Sequence, residues 1–294
     1  MPADQPVFAV NTFVWYSPLT DASLAAIAPR IAEWGFEAIE LPLEAVGDWD
    51  PSRTRDVLAA NGLAPVVCAV MPLGRELVAA SPEVVTSTQA YLLHCVDVAA
   101  TIGARCVVGP IYAGVGRTWR IEAAERRQLF ADLREALRPV VDYAGQRGVM
   151  IGIEPLNRYE TSVVNTTAQA LDVLGDLPRE AAGLNLDVYH MNIEEKDTPA
   201  ALRAAGDRLI HLQVCGNDRG TPGEDHLDWD GIRAALVETG YDGVIGIESF
   251  TAENKTIATA ASIWRPLARS QDAIAVDGLA FLRDWRAGWP AATD

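Results

Sequence analysis

The sequence predicts an α/β protein folded as one closed (β/α)8 barrel. Short apolar, β-branched runs alternate with longer helical patterns, and eight such strand–helix units follow one another with no break in composition. Helix, then glycine, then strand recurs at Gly35, Gly62, Gly103, Gly148 and Gly240, which is the chemistry of a loop joining a helix to the next strand. A length of 294 residues, 49% of them hydrophobic, suits one core of this size. A single domain over 1–294 is therefore expected, with a helical tail at about 252–290.

Taken in order, Val7–Trp15 reads as the first strand. Asp21 is the expected N-cap of the first helix, whose Leu24, Ile27, Ile31 and Trp34 recur at helical spacing before Gly35. Ala38–Leu41 and Arg53–Asn61 form the second strand and helix, and Ala64–Val70 with Pro82–Ile102 the third pair. Arg105–Tyr112 and Glu122–Arg147 follow, then Val149–Glu154 and Thr167–Leu174. Gly183–Asp187 precedes a short helix near Pro199–Ala205, Leu209–Val214 precedes Trp229–Thr239, and Val244–Glu248 is the eighth strand. Ile257 to Trp285 reads as mostly helical. No G-x-G-x-x-G follows the first strand, which removes the usual warrant for a dinucleotide site.

Charge narrows the partners. Lys and Arg number 24 against 40 Asp and Glu, a net charge of −16, which repels nucleic-acid phosphates and anionic membranes but not a neutral small molecule. Mean hydropathy is +0.07, and no apolar run reaches the ~18 residues that span a bilayer. Met1 to Pro6 is polar with no basic stretch, so no signal peptide is expected. Cys68, Cys95, Cys106 and Cys215 lack metal-site spacing and sit in or beside apolar runs, as buried free thiols of a cytoplasmic protein would.

In such a barrel the chemistry sits at the C-terminal ends of the strands. Strand five ends at Glu154, strand six at Asp187 and strand eight at Glu248, while strand seven carries His211 and Gln213. Carboxylates converging at a barrel mouth repel one another and resist desolvation, and a divalent cation resolves both conflicts. Oxygen-rich ligation suits Mn²⁺, Mg²⁺ or Co²⁺ better than tetrahedral Zn²⁺. His211 and Gln213 are two apart, so they share a face at different depths. Gln213, nearer the strand end, is the favoured fourth ligand, with His211 deeper as a hydrogen-bonded core histidine.

Five stretches resemble the sugar isomerase/epimerase barrels of the xylose-isomerase-like type, and among them the ketose 3-epimerases acting on D-tagatose or D-allulose. They are Ile153-Glu-Pro-Leu-Asn-Arg-Tyr-Glu160, Asp187-Val-Tyr-His-Met-Asn-Ile-Glu-Glu195, Asn217-Asp-Arg-Gly-Thr-Pro-Gly223, Tyr241-Asp-Gly243 and Ile263-Trp-Arg265. The resemblance covers nearly the whole chain. It implies one metal, Mn²⁺ above Co²⁺ or Mg²⁺, held at Glu154, Asp187, Gln213 and Glu248. Position 213 is a departure, because the family's ligand there is histidine. The resemblance further implies substrate contacts at Glu160, His190 and Arg219, and a homo-oligomer, dimer or tetramer.

The implied reaction is epimerisation of a free ketose at C3. Glu154 and Glu248 would remove and return the proton on opposite faces through an enediolate. Trp15 and Trp119, after strands one and four, are candidate sugar-stacking residues. The alternatives are a metal-dependent lyase acting on a 3-keto sugar or C-glycoside together with a small partner subunit, another sugar isomerase of the same superfamily, and a metal-binding protein without turnover. An endonuclease on abasic DNA shares the fold, but four histidines in the chain and the negative charge oppose it.

Overall fold

In the computed structural model, which describes residues 5–289, eight parallel strands close into a barrel in chain order, with β1 hydrogen-bonded to both β2 and β8. The units are β1 (Val7–Asn11), α1 (Asp21–Trp34), β2 (Ala38–Leu43), α2 (Pro51–Asn61), β3 (Ala64–Ala69), α3 (Pro82–Ile102), β4 (Cys106–Gly109), α4 (Ala123–Gln146), β5 (Met150–Ile153) and α5 (Thr167–Leu174). They continue with β6 (Ala182–Asp187), α6 (Val188–Glu194), α7 (Thr198–Ala205), β7 (Leu209–Val214), α8 (Trp229–Thr239), β8 (Val244–Ile247), α9 (Lys255–Ala260) and α10 (Gln271–Arg286). The chain is thus a single (β/α)8 barrel domain. Parts of the N-terminal stretch and of the tail, residues 1–4 and 290–294, lie outside the described residues. No described helix is long and apolar enough to cross a membrane.

Alternation decides what faces where. Strand residues pointing outward, such as Ile39, Val107, Ile151 and Leu212, pack with Leu92, Leu133 and Val173 of the helices in one continuous core. Residues pointing inward at the N-terminal end, Val66, Cys68, Cys106 and Val108, form an apolar floor with Met150, Ile210 and Val244. A shift in register between β6 and β7 turns Ile210 into that floor just before His211. Phe13, Phe250, Ala258 and Ile263 form a third cluster at the C-terminal rim. All four cysteines are free and buried.

Several boundaries differ from expectation for local reasons. β1 stops at Asn11 because the Asn11 side chain accepts the Phe13 N–H and starts a 3₁₀ turn, so Trp15 lies outside the strand. Thr20, not Asp21, caps α1: its hydroxyl accepts the Ser23 N–H and the Ser23 side chain returns to the Thr20 backbone. Asp21 instead accepts the Asp50 N–H. β4 ends at Gly109 because Pro110 has no N–H to continue the ladder. The tail is two helices, α9 and α10, separated by a loop containing Pro266. The helix α6, directly after β6, is absent from the sequence reading, in which the Asp187 run ends a strand.

Candidate active site

The strand-end acids meet where the sequence puts them. Glu154 and Glu248 lie one residue past β5 and β8, and each backbone N–H still bonds to the neighbouring strand, Glu154 to Gly109 O at 3.0 Å and Glu248 to Val214 O at 3.1 Å. The buried Tyr112 hydroxyl donates to the Glu154 carbonyl at 2.9 Å, which anchors that corner. Asp187 caps α6, with Oδ1 accepting the Tyr189 N–H at 2.9 Å. Its Oδ2 is left facing the barrel axis, where Arg219 Nη1 donates at 2.5 Å. The same Nη1 lies 3.3 Å from Glu248 Oε2, so these two carboxylates flank one nitrogen.

His190 follows Asp187 by three residues on the first turn of α6, so its ring stands over the acid that caps the helix. The Asn157 backbone N–H donates to Nδ1 at 3.1 Å. That assigns the single proton of a neutral imidazole to Nε2, facing Glu154 Oε1 at 3.5 Å and Asp187 Oδ2 at 3.7 Å. Burial, reinforced by the Arg219 charge, pushes the His190 pKa well below the usual histidine range and keeps the ring neutral. Arg219 Nη2 approaches Nε2 at 3.1 Å. Two N–H groups therefore converge on one spot that calls for an acceptor oxygen. Glu160 accepts from the Asn157 amide at 2.8 Å and so holds the residue that holds His190.

Arg219 sits in the turn after β7 with a positive φ of 71°, rare for a side chain other than glycine. Its guanidinium is packed between the Tyr189 and Phe250 rings, 4.2 and 5.0 Å from their centres.

Electrostatics test whether these residues fit a divalent cation. Burial, then the charges of Glu248 and Asp187, pushes the Glu154 carboxyl well above its usual pKa. Glu248 is pushed up to about 8 by burial against the pull of Arg219. Burial also raises Asp187, against Arg219. The three carboxylates have one guanidinium and a neutral imidazole among them, so when all are ionised two negative charges stay uncompensated. The residues fit a doubly charged ion on that ground. Glu154, Asp187 and His190 each offer a ligand atom, all within 4.8 Å of one another. Since His190 Nε2 carries the proton, it is suited to donate rather than to ligate.

These groups open into a cavity of about 820 Å³ lined by Glu154, Glu160, His190, Gln213, Arg219 and Glu248 and by Phe13, Met71, Leu73, Tyr159 and Phe250. Gln213 reaches that surface and His211 does not. His211 is buried deeper, with Nε2 2.8 Å from Glu40 Oε1. Trp15 and Trp119 are corrections, for neither lines the cavity. Trp15 stacks on Trp34 and donates to Asp272 at 2.9 Å, because the 3₁₀ turn after β1 carries it outward. Trp119 lies under Arg117 against the outer core. The rings at the mouth are those of Phe13, Tyr159, Tyr189 and Phe250.

Sequence reasoning missed Glu40 on β2, a wholly buried carboxylate in the middle of the barrel. It also missed Asn11, Asn157 and Asn185, which bond to the site's side chains. One signal was available for Glu40: strands of a parallel sheet are covered on both faces, so a charge inside one has no route to water.

Comparison with known proteins agrees with this geometry. Residues 28–285 match the model of the xylose isomerase-like TIM barrel family. The chain belongs to that family. A ketose 3-epimerase of Arthrobacter globiformis is 31% identical over 92% of the chain and 93% of that protein. An L-ribulose 3-epimerase of Methylomonas sp. is 30% identical over 93% and 95%. The crystal structure of a D-allulose 3-epimerase from Methylomonas sp., in complex with D-allulose, superimposes with a TM-score of 0.88 at 29% identity, covering 96% of this chain and 97% of the other. With near-full-length relatives that are sugar epimerases, the chain is an isomerase of the epimerase kind.

Proposed function

We propose that the protein epimerises a free ketose at C3, with Glu154 and Glu248 exchanging the proton and a divalent cation held by Glu154, Asp187, Gln213 and Glu248. The observation that carries this reading is the meeting of three buried carboxyls, with pKa values pushed up by burial, beside two converging N–H donors. The relatives' activities support the same class of substrate.

The carbon acid next to a ketose carbonyl is too weak to ionise unaided in water, so charge must be stabilised as it develops. A bound Mn²⁺, Co²⁺ or Mg²⁺ supplies positive charge to the substrate oxygens. His190 Nε2–H and Arg219 Nη2–H hold the carbonyl oxygen at their meeting point and polarise it. Glu154 and Glu248 stand on different strands, so one removes the C3 proton and the other returns one on the opposite face. Burial raises the pKa of both above the usual carboxylate range, that of Glu248 to about 8, and a general acid and base work best with a pKa close to the working pH. Glu160, through Asn157, keeps the His190 ring turned so that its proton faces the substrate.

Incubation with Mn²⁺ and D-fructose, D-tagatose or L-ribulose in deuterium oxide tests the reading. C3 epimers carrying deuterium at C3 are expected. If no ketose exchanges there, C3 chemistry is excluded.

A second reading has one observation behind it. A cavity of about 820 Å³ lies in the upper part of the range that takes drug-sized ligands, roughly 300–1,000 Å³, and exceeds the needs of a lone hexose. The same carboxylates would then take a proton from a 3-keto sugar bearing a larger substituent. Turnover of a 3-keto glycoside but of no free ketose would favour it.

A further inference from the structure

A carboxylate can only accept hydrogen bonds, so whatever faces it must present a donor. Glu40 is fully buried on β2 and both of its oxygens are engaged. Oε1 lies 2.8 Å from His211 Nε2, and Oε2 accepts from Asn11 Nδ2 at 2.9 Å and from Gln213 Nε2 at 2.8 Å. Thus occupied, Glu40 is a poor candidate for a ligand itself. It reaches this point because β8 carries Gly246, where a Cβ would stand 1.5 Å from Glu40 Oε1.

The consequence falls on Gln213. Its NH2 end must face Glu40, which turns its carbonyl oxygen the other way. That oxygen accepts from Asn185 Nδ2 at 2.7 Å and has a second lone pair to offer, on a residue that lines the cavity. Asn11 is fixed independently, since its own oxygen is committed to the Phe13 N–H at 2.9 Å. Asn11 Nδ2 also reaches Glu248 Oε1, but at 3.3 Å, so the orienting action of Glu40 on the proposed ligands runs chiefly through Gln213 at 2.8 Å.

The geometry points to Glu40 as a positioning residue that decides which end of the Gln213 amide faces the cation, so that an all-oxygen donor set is presented. This rests on the metal site proposed above. It deepens that reading by assigning the site a preference for hard cations, which carboxylate and carbonyl oxygens suit, over those that imidazole suits.

The test is calorimetric titration of the metal-free full chain with Mn²⁺, with circular dichroism to confirm folding. Glu40→Gln can offer its own amide, so Gln213 is no longer held. Loss of such an outer partner weakens metal binding by about 10- to 100-fold, and that loss is expected here. In a Gln213→Ala background the same Glu40→Gln change should alter affinity by less than about twofold, because the main route of action has gone. Gln213→His gives a second measurement that does not depend on Glu40→Gln folding. It should raise the ratio of Zn²⁺ to Mn²⁺ affinity by about tenfold or more. An unchanged affinity in Glu40→Gln, an equal loss in both backgrounds or an unchanged ratio in Gln213→His would overturn the inference while leaving the epimerase reading intact. A wild-type chain that binds no Mn²⁺ would instead remove the metal reading itself.

Discussion

Glu40 and Glu154 are both carboxylates shut inside the same barrel, and their acidities move in opposite directions. Burial raises the pKa of each. At Glu40 the His211 ring, with hydrogen bonds from His211, Gln213 and Asn11, more than reverses that and holds the group below its usual value. At Glu154 the neighbours are Glu248 and Asp187, which add to the burial. Burial does not decide the state of a buried acid; the donors built around it do. In the lower layer both Glu40 oxygens are met by protein donors, although His211 Nδ1 and Asn185 Oδ1 stay without partners, and the mouth layer is left short of positive charge. In the mechanism proposed above, that difference separates a group that holds the site from groups that act in it.

Replacing one member of each layer breaks the comparison most visibly. Glu154→Gln removes a charge that its neighbours repel, so turnover should fall by about 10²- to 10⁴-fold while resistance of the metal-free protein to urea does not fall. Glu40→Leu should do the reverse in stability. Removing one partner of a buried ionic network costs about 3–5 kcal/mol, because the donors of Asn11, His211 and Gln213 are left unpaired, and urea unfolding would read it. A Glu40→Leu protein as stable as the wild type would show that the two layers do not differ as described.

pH sharpens the same contrast. Glu248 is pushed up from 4.5 to about 8, so the folded, metal-free protein holds that proton more tightly than the unfolded chain does. Its stability should therefore fall as pH rises through that window and level off above it. Added Mn²⁺ replaces the proton, so it should raise the melting temperature more at about pH 8 than at about pH 6. Equal shifts at the two pH values would contradict this. Glu40 has the opposite sign: its stabilisation is present above the usual carboxylate range and is lost as pH falls through its lowered value. The smallest effect is expected at Trp15, outside both layers. Trp15→Phe loses the bond to Asp272, about 0.5–1.5 kcal/mol, with no change in kcat/KM.

The mouth layer was largely legible because strand ends punctuate the sequence. An apolar run closing on Glu154, Asp187 or Glu248 marks depth and direction at once. The run from Asp187 to His190 compresses a helix cap and the ring above it into four residues. The lower layer was hidden because its partners, at 11, 40, 211 and 213, meet only when the barrel closes. In Ala38-Ile-Glu-Leu41 the acid reads as an ordinary outward alternation. Gly246 within Ile245-Gly-Ile247 was the other available signal, since a glycine inside a strand often marks a close approach by another group. Trp15 and Trp119 misled because ring position depends on the turn after the strand, which hydrophobic period does not encode.

The left-handed backbone at Arg219 shows which of two costs the chain accepts at a single position. A glycine or asparagine there would relax the turn, a gain of roughly 1 kcal/mol. It would also strip Asp187 and Glu248 of their shared guanidinium, and breaking such a buried pair costs about 3–5 kcal/mol. The strained turn is thus the smaller cost, and it keeps the charged fork aimed at the acids without help from any bound molecule.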